Sequence, residues 1–554
     1  MVIVIDNITL LRLENGGLDD VKNILKNFIE QHKQAFAFPE LNLDDRRKKL
    51  WTLLFSHLDK PSSAICHKEC LACVRILSRE KTDLDDLCCE KWMNILLYHA
   101  GLVPQEQAML MTNQPFDNFD VVLEAMKCLC NLVFNCEHAR KLCGHNHAIE
   151  AIMMRLRTYR DPLLPHEIKF FDMRMLFVMT AFQPDIRPRL KEELHGLTYL
   201  MEILDLIIKD ASEEEDRPQN STPVLVDNQV QLASEVLKVL FNLTCKPGVP
   251  DEEEDAQLLR LESILKELLL CDTDPPSNKE QLQSHVVNLL TTMPGRCHQE
   301  LMAPLTKDVS KEAEFEGYNM EAMAVLVTFL NTRLDQNPVV QSLQERLSPI
   351  VTVLLECAIN HRLLRKYLRW RILPPLRDVH TRPEEGTTLR NKLCRLLTSP
   401  VTNVRDLVAE LLFVLCKESV SRMIKYTGYG NAAGQFANRG LLAQHQSCQP
   451  HGQYSSDSDS ETDEYSMYKH GINPVVGCYE PPRPDPTAHM TEEQKEYEAM
   501  QLVNMMDKLH RQGIINPCRI GEDGRPEPVS HIMELQEELP RQQVGGGART
   551  DDVD

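Results

Sequence analysis

Five short apolar blocks recur along the chain at nearly constant spacing, and they limit the possible folds more than any other feature. They are CVRILSRE (73–80), MKCLCNLVF (126–134), MLFVMTAF (175–182), LKVLFNLT (237–244) and VVNLLTTM (286–293). Apolar residues in and around them recur at three and four positions, which predicts helices. A helical period near 50 residues is close to that of armadillo and HEAT repeats, whose units bury their apolar faces against neighbouring units. The sequence therefore predicts an all-α solenoid of this type over residues 1–424, with less regular blocks at 351–360 and 409–418.

One polar position recurs inside these apolar blocks. Alignment of the blocks places Arg79, Asn131, Thr180, Asn242 and Thr291 at equivalent positions, separated by steps of 52, 49, 62 and 49 residues. Such side chains could form hydrogen bonds at a helix end within each repeat. They could also form a ladder along the concave groove of the solenoid and hold the backbone of a bound peptide or helix. We expect the ladder.

The composition changes near residue 427. Nine of the 22 glycines precede this position and thirteen follow it, and beyond residue 445 the chain is rich in Ser, Asp, Glu and Pro. Such a composition buries too little apolar surface to order itself. We expect a glycine-rich exit segment at 425–445, an acidic and Pro-rich linker at 446–489 and a disordered C-terminus at 514–554.

An amphipathic helix is predicted within this tail, at 490–513. Thr491 and Gln494 have the spacing of a capping box, which marks a helix start. An apolar stripe follows, formed by Ala499, Leu502, Val503, Met506 and Leu509. The helix could pack back on the superhelix, but on its Pro-rich tether we expect it to reach a binding partner.

The charge balance limits the partners. The chain has 82 acidic and 61 basic residues, a net charge of −21, which argues against nucleic acid as the main partner and against general adhesion to anionic membrane. A local basic patch remains compatible with this total. No apolar run approaches the ~18 residues of a membrane span. The 18 scattered cysteines fit a reducing compartment, so we expect a cytosolic protein without an integral membrane segment.

Three stretches imitate catalytic or metal sites. Cys66, Cys70 and Cys73 have the spacing of radical-SAM iron–sulfur motifs, but they fall on one face of a predicted helix and are expected to be core thiols. The acidic run at 457–464 lacks the glycine of a calcium loop. The three glycines within 428–434 match neither a dinucleotide fingerprint nor a P-loop, which leaves a hydrolase without a supporting motif.

Several longer stretches carry a family resemblance. They include RILSR (75–79), KCLCNLVF (127–134), LPPLRDV (373–379), RNKLCRLLT (390–398), KYTGYGNAAG (425–434) followed by RGLLA (439–443), and MTEEQKEYEAMQLVNMMDKL (490–509). The chain resembles the synembryn family, the resistance-to-inhibitors-of-cholinesterase proteins, over roughly residues 18–515.

The resemblance implies a chaperone and guanine-nucleotide exchange factor for α subunits of heterotrimeric G proteins, with no enzymatic chemistry and no cofactor, in the cytoplasm and at the cell cortex. The family's armadillo/HEAT-type superhelix holds the C-terminal helix of the α subunit on its concave face. The residues implied to contact this helix are Arg75, Arg79, Asn131 and Phe171, and the ladder adds Asn242. Leu502, Val503 and Met506 of the tail helix are expected to reach the client's nucleotide-binding domain. The alternative is an armadillo-type adaptor that binds peptides without exchange.

The acidic linker is expected to be phosphorylated by an acid-directed kinase such as casein kinase II. By family resemblance, Ser455 and Ser460 are the regulatory sites. A basic stripe on the predicted helix HRLLRKYLRWR (361–371), formed by Arg362, Arg365, Lys366 and Arg369, would bind the phosphates; the nearby helix from Arg390 to Arg395 is a second possibility. The alternative is a solvated linker without a function of its own.

Overall fold

The computed structural model describes residues 5–104, 118–213, 222–245, 252–305, 313–336, 342–439, 461–481, 487–515, 518–520 and 526–528. The backbone forms two compact units, Met1–Tyr479 and Glu480–Asp554.

The first unit is built mainly from helices. In chain order they are α1 (Asn7–Asn15), α2 (Leu18–Gln31), α3 (Arg46–Leu58), α4 (His67–Leu77), α5 (Leu84–Leu87), α6 (Glu90–His99), α7 (Phe119–Asn135), α8 (Glu137–His145), α9 (Ala148–Leu156), α10 (His166–Phe182), α11 (Ile186–Pro188), α12 (Gly196–Ser212), α13 (Asp227–Thr244), α14 (Glu252–Leu270), α15 (Lys279–Leu290), α16 (Glu321–Asp335), α17 (Leu343–Asn360), α18 (Arg362–Ile372), α19 (Leu389–Leu396), α20 (Thr402–Leu415), α21 (Val420–Thr427), α22 (Tyr429–Asn438) and α23 (Asp463–Tyr468).

Short strands connect some of these helices. Strands β1 (Val224–Val226) and β2 (Asp272–Asp274) pair in parallel. Strands β3 (Ala303–Pro304), β4 (Glu314–Phe315) and β5 (Tyr318–Asn319) form an antiparallel sheet in the order β3-β5-β4. Strands β6 (Ile472–Asn473) and β7 (Cys478–Tyr479) form an antiparallel pair.

The helices that contain the recurring sequence blocks pack one after another in a single row, and we call them the row helices. The five regular blocks include the C-terminal parts of α4, α7, α10, α13 and α15, and each of these helices packs against the next in that order. The row continues from α15 to α17 and from α17 to α20, the helices of the two less regular blocks. Apolar residues are buried on more than one side of α7, as Val121, Val122 and Cys130 are at well separated positions around the helix. The predicted all-α repeat fold is confirmed.

The predicted core thiols are also confirmed. Cys70 and Cys73 lie on α4 and Cys66 immediately precedes it, and all three are inaccessible to solvent. The Cys66 Sγ donates to the carbonyl oxygen of Ser63 at 3.1 Å. Among the described residues, no cluster of His, Cys, Asp and Glu has the arrangement of a metal site.

Up to Asn438, the predicted exit segment is helical. Gly428, at φ +74°, separates α21 from α22, and α22 comprises residues 429–438. The Tyr429 N–H donates to the carbonyl of Pro474 at 2.8 Å, and the Gly430 N–H donates to that of Val475 at 2.9 Å. A Cβ on Gly428 would lie 3.1 Å from the Val476 carbonyl oxygen, because the two chain segments approach so closely. Residues 428–430 therefore contact the later segment at 474–476.

This later segment belongs to the expected linker. Residues 461–479 of that linker are ordered as part of the first unit. The Tyr479 N–H donates to the carbonyl of Val379 at 2.7 Å. Thr462 donates its hydroxyl hydrogen to the Leu376 carbonyl, and its oxygen caps α23. The expectation that the linker cannot order itself is wrong for these residues. Aromatic and backbone contacts with distant segments stabilise them, although their own composition offers little apolar surface.

The second unit contains α24 (Glu492–Arg511) and the antiparallel strands β8 (Cys518–Ile520) and β9 (Pro526–Pro528). The predicted capping box is confirmed: the Gln494 N–H donates to the Thr491 hydroxyl at 3.3 Å, and the Thr491 N–H donates to the Gln494 side chain at 3.1 Å. No residue of α24 is buried. Among the described residues, no helix has the length and apolar character needed to cross a bilayer.

Candidate functional site

Arg75 and Asn131, two predicted client contacts, meet where α4 packs against α7. The Asn131 side-chain amide donates to the carbonyl oxygen of Arg75 at 3.3 Å. The Arg75 guanidinium donates to Glu124 on α7 at 2.8 Å, and Lys127 donates to the other oxygen of Glu124 at 2.8 Å. Because α7 places Glu124 and Lys127 one turn apart, both cations share one carboxylate. We call Arg75, Glu124 and Lys127 the first charge cluster.

The first charge cluster lies at the surface with its carboxylate largely covered. The side chains of Arg75 and Lys127 are 25% and 30% exposed, and that of Glu124 is 11% exposed. Burial by itself would raise the pKa of Glu124, but the hydrogen bond from Lys127 and the charge of Arg75 outweigh it and lower the pKa. Glu124 is thus ionised at neutral pH, and the cluster carries one net positive charge.

Arg79 and Phe171 flank this cluster along the chain. The Arg79 guanidinium donates to the carbonyl of Lys33 at 2.9 Å and lies 5.4 Å from the ring of Phe36, which is 69% exposed. Phe171, on α10, is half-buried, and its carbonyl accepts a hydrogen bond from Cys130 of α7. Arg79 thus lies just after α4, and Asn131 and Phe171 lie on the next two row helices.

The ladder prediction is wrong for Thr180 and Asn242. Asn242 is 8% exposed, and its amide donates to the Phe177 carbonyl at 3.3 Å and to the Thr180 hydroxyl at 3.0 Å. The fully buried Thr180 hydroxyl donates to the carbonyl of Leu176 in its own helix. The Asn242 amide therefore joins two neighbouring row helices, and only the Thr180 bond lies within one repeat, as the alternative expected. Thr291 also donates within its own helix, to Asn288.

A second charge cluster repeats the first one and was not anticipated. Glu235 of α13 accepts from Arg174 of α10 at 3.2 Å and from Lys238 of its own helix. The Phe177 ring lies 5.7 Å from the Arg174 guanidinium and 5.1 Å from the Lys238 ammonium. The sequence does carry a signal for it, since EAMKCLCN (124–131) and EVLKVLFN (235–242) share one pattern of Glu, Lys and Asn.

The predicted basic stripe is not a single solvent-facing row. Arg362 is exposed, whereas Arg365 is 9% exposed and donates to the Ala358 carbonyl at 2.6 Å, at the end of α17. Lys366 pairs with Glu316 at 3.0 Å. Arg369 hydrogen-bonds Tyr426, where its charge and the hydrogen bond oppose the rise that burial causes in the pKa of Tyr426. Arg365 is therefore excluded as a phosphate ligand, because its guanidinium caps the preceding helix.

The end of the acidic run lies on a different set of cations. Glu461 pairs with Lys425 of α21 and with Lys469, both at 3.2 Å. The Lys425 ammonium also lies 4.3 Å from the ring of Tyr465. The predicted phosphosites Ser455 and Ser460 lie outside the described residues.

The three predicted client contacts on α24 are accessible within the second unit. Leu502 is 63% exposed, and Val503 and Met506 are half-buried. The helix presents further apolar side chains at Met500 and Met505, which are 64% and 63% exposed.

Comparison with known proteins decides the family. The family model described as "Guanine nucleotide exchange factor synembryn" matches residues 70–525. This chain belongs to the synembryn family. It is 41% identical over 522 residues to "Chaperone Ric-8A" of Gallus gallus, covering 92% of this chain and 94% of that protein. It is 40% identical over 573 residues to "Chaperone Ric-8" of Drosophila pseudoobscura pseudoobscura, covering 97% and 98%. A solved engineered protein aligns with a TM-score of 0.43 and 13% identity, over 79% of this chain and 95% of that one.

Proposed function

We propose that this synembryn-family chain is a folding chaperone and guanine-nucleotide exchange factor for α subunits of heterotrimeric G proteins. It binds the GDP-bound or nascent α subunit free of βγ, stabilises the nucleotide-free state and releases the client when GTP binds. The observation that carries this proposal is the repeated charge cluster on the row helices, which contains Arg75 and adjoins Asn131, two positions that the family resemblance assigns to the client helix.

The two charge clusters suit the C-terminal end of a client helix. Such an end carries unsatisfied carbonyls and a partial negative charge, which partly exposed cations stabilise. Arg75 and Lys127 are held by one shared carboxylate, so little side-chain entropy remains to be lost on binding. The half-buried Phe171 offers apolar surface on the next row helix.

Exchange follows from differential binding. A protein that binds the nucleotide-free α subunit more tightly than the GDP-bound one shifts the population towards the nucleotide-free state. The helix α24 is the second contact, because its exposed Leu502 and the neighbouring methionines form an adaptable apolar surface. This contact reaches the client's nucleotide-binding domain, while the row helices hold its C-terminal helix.

Phosphorylation at Ser455 and Ser460 by an acid-directed kinase regulates this arrangement. Ser460 directly precedes Glu461, which is fixed between Lys425 and Lys469. A phosphate on Ser460 would therefore be close to Lys425, which holds the next residue, and Arg369 contacts Tyr426, the neighbour of Lys425. Each phosphate adds ~1.5–2 negative charges and can form one to three charge-assisted hydrogen bonds.

The direct test is GDP release from purified α subunits of several classes, with complex formation followed by size-exclusion chromatography. We expect faster release and a stable complex for at least one class. Complex formation without accelerated release would instead indicate an adaptor, and the absence of both for every class would overturn the proposal.

A further inference from the structure

The helix α18 is the most basic element of an acidic chain. Between Arg362 and Arg377 the sequence has six cations and no acid, whereas the whole chain has a net charge of −21. The phosphate-binding role described above concerns the Arg369 side of this helix. The residue after Arg369, about 100° further around the helix, is an exposed aromatic residue that this role leaves unexplained.

That aromatic residue is Trp370, which is 49% exposed. It lies one and two turns after Lys366 and Arg362, so the three side chains follow each other along one face of α18. The Arg371 guanidinium lies 5.7 Å from the Trp370 ring. Among the described residues, neither Arg362 nor Arg371 forms an ion pair with a carboxylate.

Neighbouring strands add apolar surface to this face. The Phe315 ring of β4 lies 5.8 Å from the Trp370 ring, and Phe315 pairs across the sheet with Tyr318, which is 40% exposed. Glu316 forms an ion pair with Lys366 at the rim. We call the set Tyr318, Arg362, Lys366, Trp370 and Arg371 the Trp370 surface.

We propose that the Trp370 surface docks this protein reversibly on anionic lipid bilayers. Indole and phenol rings place an apolar body and a polar edge at the membrane–water boundary, and adjacent arginines and lysines bind lipid phosphates and carboxylates. Protein interfaces also use tryptophan and arginine, so an acidic protein partner is the competing occupant and forms a separate outcome of the experiment.

The net negative charge of the chain does not oppose such docking at physiological salt. The Debye length is then about 8 Å, so only charges near the bilayer contribute appreciably. Arg362, Lys366 and Arg371 lie along α18 around Trp370, and Glu316 is paired with Lys366. Each such cation strengthens binding to an anionic surface by roughly fivefold, so two or three cations with one tryptophan give weak, reversible association.

The experiment uses the full-length unphosphorylated protein and phosphatidylcholine vesicles with and without phosphatidylserine. We expect co-sedimentation only with the anionic vesicles, weakened by salt, together with a blue shift of tryptophan emission. The shift reports Trp370, because Trp51 is 1% exposed and Trp92 packs half-buried against the core. Circular dichroism verifies the fold of every variant.

The variants assign the effect to this surface. Arg371→Ala should lower the lipid partition coefficient about fivefold, and Trp370→Ala should lower it further and abolish the emission shift. Trp370→Phe keeps the ring and should bind without the shift. The matched controls Tyr98→Ala and Lys141→Ala remove an exposed ring and an exposed cation elsewhere, and should bind like the parent.

Three outcomes would overturn the proposal. They are equal binding to both kinds of vesicle, no binding to either kind, or undiminished binding by Trp370→Ala. If soluble polyglutamate shifted the emission while anionic vesicles failed to sediment the protein, the surface would serve an acidic protein instead.

Discussion

Replacing Arg75 by Ala should separate client binding from fold stability. In the first charge cluster, Arg75 is one of two partners of Glu124, and Lys127 remains at 2.8 Å after the substitution. The Arg75 and Glu124 side chains are 25% and 11% exposed, so the lost pair should lower the free energy of unfolding by about 1 kcal/mol. A chain of ordinary stability stays folded after such a loss.

The loss of client binding should be larger. A guanidinium that contacts helix-end carbonyls contributes about 1–3 kcal/mol, so the dissociation constant for a peptide with the client's C-terminal sequence should rise roughly 5- to 150-fold. Fluorescence anisotropy measures this binding, and urea unfolding measures the stability. Arg260→Ala is the control, because it breaks the exposed pair of Arg260 with Asp205 between α14 and α12. Peptide binding by Arg75→Ala within twofold of the parent would refute the assignment of this surface to the client helix.

Three further perturbations test the tail and its anchor. Deleting residues 490–513 should slow GDP release more than it weakens binding of the C-terminal peptide, since the peptide needs only the row helices; equal losses would make the helix a support of the fold. Phosphorylated protein should release GDP from the client faster than the Ser455→Ala/Ser460→Ala variant, with a difference that shrinks as salt rises; equal rates throughout a salt series would leave the acidic run a linker. Gly428→Ala should cost about 1–3 kcal/mol of stability and expose residues 461–479 to hydrogen exchange, because its φ is +74° and Val476 is near. The control Gly434→Ala lies in open space within α22 and should raise the free energy of unfolding by about 0.5–1 kcal/mol. Unchanged hydrogen exchange of residues 461–479 in Gly428→Ala would contradict this account of the glycines.

The features that depend only on residues close together in the chain were predictable from the sequence. Helical periodicity located the row helices, and the Thr491 capping box depends only on residues three apart. The burial of Cys70 and Cys73 followed from their helical spacing. Each of these inferences needs only one element or one repeat.

The features that depend on distant segments were not predictable in the same way. Periodicity identified Asn242 as a recurring polar residue, but it could not show that its amide meets Thr180 of the preceding layer. The glycine content predicts an exit segment at 425–445, while the close contact of Gly428 with Val476 depends on a segment nearly fifty residues later. The second charge cluster was detectable from the repeated Glu–Lys–Asn spacing, although the participation of Arg174 depends on helix packing.

The return of residues 461–479 also affects how the repeat array unfolds. In a stack where each layer contacts only its neighbours, the terminal layer has one neighbour fewer and opens first. Here the N–H groups of Tyr429 and Gly430, in the last helix of the array, donate to the carbonyls of Pro474 and Val475, so the returning segment covers the end of the array. A chain truncated shortly after α22 would keep every repeat and still fray from its C-terminal end. Melting of that end would then precede cooperative unfolding of the remaining layers.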